Sequence, residues 1–503
     1  MLNWLSKYSA DAIVLRQADK TWGKEAILQT VSALVASLRS RLEPYAPVGI
    51  LGDNHPEWLM IDWACQEAGV ALIPLPTFFT PSQWVHTIRQ SGMTSLFVQD
   101  PQHAKALGFV FPITAPSQSY HLFEASQVLK DQIQKPDLLG IQKVTFTSGT
   151  TAEPKGVCLS AEQQWAVAQS LEQQLRTLGI ERHLTLLPLS VLLENIAGAY
   201  TAALSAASNI VPALQEVGLL GASQFNPELC LNAIEKYQAQ SVILLPQMLQ
   251  ALLAVLKKND PRLASLRFMA VGGAKVPEAL LHAAQEMGLP IFEGYGLSEC
   301  CSVVTLNLPQ ASRIGSIGRA LPHHQLTLAT DGEILVKATA PLRYLGQAEQ
   351  DHEWIATGDL GHQDADGYWY ISGRKKNVLI TSFGRNVSPE WPESILLGSH
   401  CFAQAMVLGD GQPYLSAILL PYPGIDGNSI EKALEQVNAQ LPDYAQIRAY
   451  CIAREPFTLS NGLATANGRP KRAAILQSYA TQIQALYTQD LNTSQLNLVG
   501  ENS

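Results

Sequence analysis

Between residues 25 and 42, Ile27, Val31, Leu34, Val35, Leu38 and Leu42 recur at helical spacing, a one-sided apolar stripe that predicts an amphipathic helix. Pro44 and Pro47 end it. VGILG (48–52) then reads as a short buried strand. DNHPEW follows, with Pro56 in the first helical turn and Asp53 or Asn54 as the expected cap. That helix runs to about Ala68, Gly69 stops it, and VALIPL (70–75) reads as a second strand. Strand, helix and strand with short joints make a βαβ unit and predict a mostly parallel sheet. The alternation recurs through SLFVQ (95–99), a helix near 161–177, LTLLPL (184–189) and a small-residue helix near 193–207. It continues with SVILL (241–245), a helix near 246–256, FMAVG (268–272) and a helix near 277–287. Residues 1 to about 315 are therefore expected to be α/β and doubly wound, with sites at the carboxyl ends of strands.

The pattern then changes. HQLTLA, GEILVKA and YWYIS are short strands broken by Gly and Asp turns, which predict a small antiparallel, barrel-like unit over about 316–375. Beyond it, AMVLG (405–409), SAILL (416–420) and helices near 429–440 and 471–487 predict a small α+β domain. The boundary is placed between 375 and 376: an N-terminal domain of 1–375 and a C-terminal lid domain of 376–503.

Composition narrows the function classes. The 503 residues carry 34 Lys plus Arg against 43 Asp plus Glu, a net charge of −9, with no dense basic run, which argues against nucleic acid as the main partner. Hydrophobic residues are 47%, enough for a large core. The seven cysteines form no Cys-x-x-Cys pair and read as reduced thiols of a cytoplasmic protein. The start shows no secretory signal, and no apolar run reaches the ~18 residues of a transmembrane span. The histidines read as ordinary: His55, His183 and His282 isolated, and His323–His324 facing opposite ways on a strand.

Candidate chemistry is densest in VTFTSGTTAEPKGVCLS (144–160), where a strand meets a loop of glycines and hydroxyls. Gly149 and Gly156 relax the backbone, Thr147, Ser148, Thr150 and Thr151 offer hydroxyl donors, and Lys155 offers a cation for phosphate. The spacing is not that of a Walker loop. EGYGLSE (293–299) has a turn open to a flat ring, and Glu299 is an oxygen ligand suited to Mg²⁺ or a solvated surface carboxylate. In ATGDLG (356–361), Asp359 can accept from two sugar hydroxyls or cap a turn. ISGRKKNVLITSFGRNVSPE (371–390) sets Arg374, Lys375 and Lys376 at a domain boundary, where a hinge belongs. NGLATANGRPKRAAI (461–475) is a Gly/Asn loop leading to Arg469, Lys471 and Arg472.

Together these stretches resemble, in order and over nearly the whole chain, the adenylate-forming (AMP-binding) superfamily. That group holds acyl-CoA synthetases, aryl-CoA ligases, luciferases and the adenylation domains of peptide synthetases. GRKKNVLITSFGRNVSPE and LLPQMLQALL look most like fatty acyl-CoA synthetases or acyl-AMP ligases. The resemblance implies that a carboxylate attacks the α-phosphate of ATP, giving an acyl adenylate and pyrophosphate. A pantetheine thiol, of CoA or of an acyl carrier protein, then displaces AMP. It assigns Thr147 to Thr151 and Lys155 to the β/γ-phosphates, and Gly273 and Ala274 to the adenine pocket. Tyr295, beside Gly296, would stack on the base. Ser298 would meet the α-phosphate, Glu299 the Mg²⁺, and Asp359 with Arg374 the ribose. Lys376 would be the hinge of a mobile lid. The family's last loop carries a lysine four residues after a threonine; here Arg469 occupies that place after Thr465, and Lys471 follows two residues later. Either can serve; loss of adenylation, leaving a nucleotide- or acyl-binding homologue, is the alternative. LPLSVLLENIAG (187–198) is apolar where the acyl group should lie and predicts a fatty or other apolar acid.

Overall fold

The computed structural model describes residues 2–133, 136–147, 154–220, 224–350, 352–382, 385–465 and 468–488. The first βαβ unit forms as its pattern requires. Pro47–Leu51 and Ala71–Leu75 pair in parallel, joined by the helix Pro56–Ala68. They sit inside a seven-stranded sheet ordered Phe109–Ile113, His121–Ala125, Ser95–Val98, Pro47–Leu51, Ala71–Leu75, Lys143–Thr147, Lys155–Leu159. A second sheet has nine strands. Its central run, Ile291–Leu297, Phe268–Val271, Ser241–Leu244, Arg182–Leu184 and Ser208–Ile210, pairs in parallel, and antiparallel strands close both edges. Helices cover the sheets, so the architecture is the expected mixed α/β one.

Three local expectations are corrected. His55, not Asp53 or Asn54, caps the helix Pro56–Ala68: its ring accepts from Glu57 N at 3.1 Å. Asn54 instead ties the 187–189 segment down, donating to Leu187 O and accepting from Leu189 N, both at 2.8 Å. The strand read at 184–189 ends at Leu184. Pro188 has no N–H for a ladder, and the N–H groups of Leu186 and Leu187 turn to the buried Glu194 carboxylate instead. The helix read at 193–207 is a π-helix over Leu193–Tyr200 that passes into an α-turn, Thr201–Leu204. π-Segments are rare and collect at functional sites.

One buried ion pair ties the two large sheets together. Lys143, fully buried on a strand of the first sheet, donates to Asp62 at 2.9 Å and to Asn195 at 2.5 Å. Tyr200 and Asn195 donate to the same Asp62 oxygen at 2.9 and 3.0 Å. The helix Pro56–Ala68, the strand Lys143–Thr147 and the π-helix thus share one polar knot inside an apolar core.

The unit after residue 315 is a four-stranded antiparallel sheet in linear order: Leu326–Leu328, Glu333–Lys337, Trp354–Gln363, Trp369–Arg374. The C-terminal unit carries a three-stranded sheet, Phe402–Leu408, Leu415–Pro421 and Ile447–Ile452, with helices Gly427–Asn438, Arg472–Ser478 and Ala480–Thr488. No helix among the described residues is long and apolar enough to cross a membrane. His323 and His324 lie in the turn before Leu326–Leu328, not on a strand, and their rings sit 3.9 Å apart rather than facing opposite ways.

Candidate active site

The strands on either side of the hydroxyl-rich loop form a β-hairpin. Lys143–Thr147 runs antiparallel to Lys155–Leu159, and the pair Thr147 with Lys155 closes the ladder. Ser148, Gly149, Thr150 and Thr151 fall outside the described residues. Lys155 opens the second strand and lines the central cleft. The outer edge of the hairpin is covered: Leu345 N donates to Gly156 O at 2.8 Å, and Cys158 N donates to Arg343 O at 2.9 Å. A Cβ on Gly156 would lie 3.1 Å from the Leu345 Cβ, so a side chain there would press on the cover. The covering segment also brings in Tyr344, whose hydroxyl donates to Glu299 Oε1 at 2.9 Å.

Glu299 follows the strand Ile291–Leu297 in a short turn, Ser298–Cys300. The chain next takes two positive φ values, 60° at Cys301 and 113° at Ser302, strain of the kind that gathers at working sites. A Cβ at Gly296 would fall 1.7 Å from the Ser302 carbonyl, so the turn requires glycine. Both neighbouring cysteines are buried; burial pushes the Cys301 thiol up to about 12, which fits packing rather than reactivity.

Asp359 and Arg374 stand opposite each other on antiparallel strands. Arg374 Nε donates to Asp359 Oδ1 at 2.7 Å, and the Tyr295 hydroxyl donates to Oδ2 at 2.6 Å. Burial raises the Asp359 pKa, and the Arg374 guanidinium works against that rise. Burial, reinforced by the Asp359 charge, likewise holds the Tyr295 phenol well above its ordinary value. Farther along the same strand as Tyr295, Glu293 is buried, and its carboxyl is pushed up to about 8.

The C-terminal loop reaches into this cluster. Thr465 and Arg469 close a turn, Arg469 N donating to Thr465 Oγ1 at 3.1 Å and Thr465 N to Arg469 O at 2.8 Å. The Arg469 guanidinium then donates to the carbonyl of Gly273, and Gln247 Nε2 donates to Gly468 O at 3.3 Å. Surrounding protein, then the Arg374 charge, lower the Arg469 pKa, yet its side chain still meets solvent in the cleft. Lys471 lines the cleft too, with its backbone N–H on Leu463 O at 2.8 Å. Lys376 sits in the short turn Lys375–Asn377 at the cleft wall, while Lys375 pairs with Asp331 at 2.6 Å and Glu333 at 2.8 Å.

One cleft of about 3140 Å³ therefore gathers Lys155, Gly273, Ala274, Tyr295, Gly296, Ser298, Glu299, Asp359, Arg374, Lys376, Arg469 and Lys471. That exceeds the ~300–1,000 Å³ of a site for one small ligand and leaves room for two or three substrates. The side chain of Thr147, like residues 148–151, lies outside what the structure describes. Sequence reasoning missed Tyr344, Glu293 and Gln247, which also line it. It also misjudged His183, which is not isolated: it is buried, bonded to Glu194 at 2.8 Å and Ser241 at 2.9 Å, and faces the cleft.

Residues 3–339 match the AMP-binding enzyme family and residues 376–491 match the AMP-binding enzyme C-terminal domain. The chain belongs to the AMP-binding enzyme family. It is 28% identical over 472 residues to an indoleacetate–CoA ligase of Aromatoleum aromaticum, covering 86% of this chain and 88% of that one. It is 31% identical over 249 residues to a long-chain-fatty-acid–CoA ligase of Mycobacterium bovis, covering 44% of this chain and 42% of the other. An anthranilate CoA ligase in complex with anthranoyl-AMP shares the fold, with a TM-score of 0.80 and 21% identity, over 96% of this chain and 98% of that one. These relatives are named as CoA ligases, in keeping with the AMP-forming acid–thiol ligase expected of this AMP-binding enzyme.

Proposed function

We propose that this AMP-binding enzyme activates an apolar carboxylic acid with ATP and Mg²⁺ and passes the acyl group to the thiol of CoA. The observation that carries the reading is the docked C-terminal loop, which sets Arg469 against Gly273 within the same cleft as Tyr295, Asp359 and Glu299. Adenylation brings a carboxylate up to a phosphate, two anions, and needs fixed cations and donors where charge develops. Arg469 and Lys471 from one side and Lys155 from the other supply them. Each Asp359 carboxylate oxygen holds one protein donor and keeps a lone pair for a ribose hydroxyl. Glu299 fits Mg²⁺: Tyr344 orients Oε1, and Oε2 takes no protein hydrogen bond among the described residues. A single carboxylate suffices where substrate phosphates complete the shell. When bound at Glu299, the ion would supply positive charge that offsets the charge of the substrate phosphates. Lys376, between the last strand of the large domain and the C-terminal unit, is the proposed hinge.

The acid is narrowed less by the site than by its relatives. The fatty acid expected from the sequence finds support in a relative matched over less than half of each chain. The relative matched over most of its length is named for an arylalkanoate. An aryl or arylalkyl acid is therefore preferred over a simple fatty one. CoA is preferred over a carrier protein as acceptor, because the relatives are named for CoA.

ATP–pyrophosphate exchange over aromatic, arylalkyl and aliphatic acids tests this reading, run on the wild type, Arg469→Ala and Lys471→Ala. Exchange dependent on one class of acid, with Arg469→Ala losing far more than Lys471→Ala, is expected. No exchange with any acid, or small and equal losses in both variants, overturns it.

A further inference from the structure

Behind the nucleotide end, the cleft continues along one face of the nine-stranded sheet, under the π-helix. The sheet register sets its floor: Phe268 pairs with Ser241, and His183 pairs with Ser241 on the other side. Ile243 and Ala270 lie two residues nearer the nucleotide and pair with each other, so they share that face. The walls are mostly apolar, yet a chain of polar atoms is set into the floor. The Glu194 carboxylate is fully buried; its Oε2 accepts from the N–H groups of Leu186 and Leu187 at 3.3 and 3.0 Å. Its Oε1 meets His183 Nε2 at 2.8 Å, and His183 Nδ1 meets Ser241 Oγ at 2.9 Å.

The π-helix is shaped around this relay. A Cβ on Gly198 would come within 2.4 Å of Glu194 Oε1 and 2.6 Å of His183 Nε2. A side chain there would push the Glu194 carboxylate and the imidazole apart or aside. The relay also has a direction. A carboxylate that already accepts two backbone N–H groups takes its third donor from His183 Nε2–H. In the neutral imidazole assigned here this leaves Nδ1 as an acceptor, so the Ser241 hydroxyl points its proton at Nδ1. The free lone pairs of Ser241 Oγ are then available to the cleft, in a wall where Ser241 is 7% exposed.

We propose that Ser241, held by His183 and Glu194, is a recognition subsite for a hydrogen-bond donor on the distal part of the acid. Phe268, opposite Ser241, precedes Gly273 by five residues, so at ~3.3 Å per residue the subsite lies at most about 16 Å from where Arg469 meets Gly273. The substrate class is an elongated apolar acid, aliphatic or arylalkyl, with a hydroxyl or N–H within that distance of its carboxylate. This rests on the ligase reading and deepens it. Ser241 is a specificity-determining residue; His183 and Glu194 are positioning residues that act through it. A buried hydroxyl oxygen left without a donor costs affinity, so an acid with a methyl group there is discriminated against.

The test compares 12-hydroxydodecanoate with tridecanoate, and 6-(4-hydroxyphenyl)hexanoate with 6-(4-methylphenyl)hexanoate. Pyrophosphate exchange is read on wild type, Ser241→Ala and Ser241→Thr, and calorimetric titration on the same proteins reads acid binding without turnover. A preference of about tenfold for the hydroxyl acid in at least one series is expected in the wild type, carried by KM for the acid and not by KM for ATP. Ser241→Ala should reduce the ratio to about twofold or less, and Ser241→Thr should restore part of it. Equal use and equal binding of the paired acids, or a ratio unmoved by Ser241→Ala, overturns the subsite. Absence of exchange with every acid is a different failure: it removes the ligase reading, while the titration still decides whether Ser241 reads a donor.

Discussion

The two ends of the cleft hold charge in opposite ways. At the end proposed for the nucleotide, Asp359, Arg374, Tyr295 and Arg469 come from three separate parts of the chain; Asp359 is buried, while the guanidinium groups of Arg374 and Arg469 that meet there reach solvent. At the far end and behind the hairpin, Glu194 with His183 and Lys143 with Asp62 are closed inside the core. Buried charges are costly unless fully partnered, and removing one partner strands the other. Exposed ones can be traded with water. The far end is therefore built to hold its shape, and the nucleotide end to make and break contacts.

Substitutions can break that contrast. Lys143→Ala should have the largest effect, about 3–5 kcal/mol of stability, because it leaves Asp62 buried without its cation. Chemical denaturation checks it, and a loss below 1 kcal/mol would mean that water enters the knot. Asp359→Asn should leave the denaturation midpoint nearly unchanged and lower exchange by about a hundredfold, since the loss falls on nucleotide contacts. A large stability loss there would erase the contrast.

Glu293 sharpens the comparison through pH. Its folded pKa, about 8, lies above the ordinary 4.5. The folded state therefore binds the proton more tightly, and this contribution favours the fold at low pH and fades as pH rises toward 8. The slope is at most about 1.4 kcal/mol per pH unit for one proton. Stability measured from pH 5 to pH 8 should fall less steeply in Glu293→Gln than in the wild type; identical profiles would mean that the carboxyl is solvated. The smallest effect belongs to Tyr295→Phe, which removes only the 2.6 Å hydrogen bond to Asp359. A rise of a few-fold in KM for ATP, worth about 1 kcal/mol, is expected. A loss of exchange as large as that of Asp359→Asn would show that the hydroxyl, not the ring, is what the site uses.

The end proposed for the nucleotide was the more legible as a cluster. Glu299, Asp359, Arg374 and Arg469 each sit in a short run of glycines and hydroxyls that announces a special backbone, and the structure gathers them in one cleft. The parallel strands were legible for the same local reason, a compact apolar run between breakers. The far end gave no such sign. His183 is 11 positions from Glu194 and 58 from Ser241, and each looks unremarkable among its neighbours. Only strand register brings them together. The early end of the strand at Leu184 was hidden likewise, because the group that takes up the freed N–H donors lies on the next helix.

The docked loop has a consequence for how such a chain can be recombined. Among the described residues, its two hydrogen bonds to the part of the chain before residue 376 each involve a main-chain carbonyl: Arg469 grips that of Gly273, and Gln247 grips that of Gly468. A carbonyl is present whatever side chain drifts past it. The loop's own grip thus depends on two side chains and on the path of the backbone, so of the loop's side chains a C-terminal half transplanted from a relative needs one arginine to keep these two bonds.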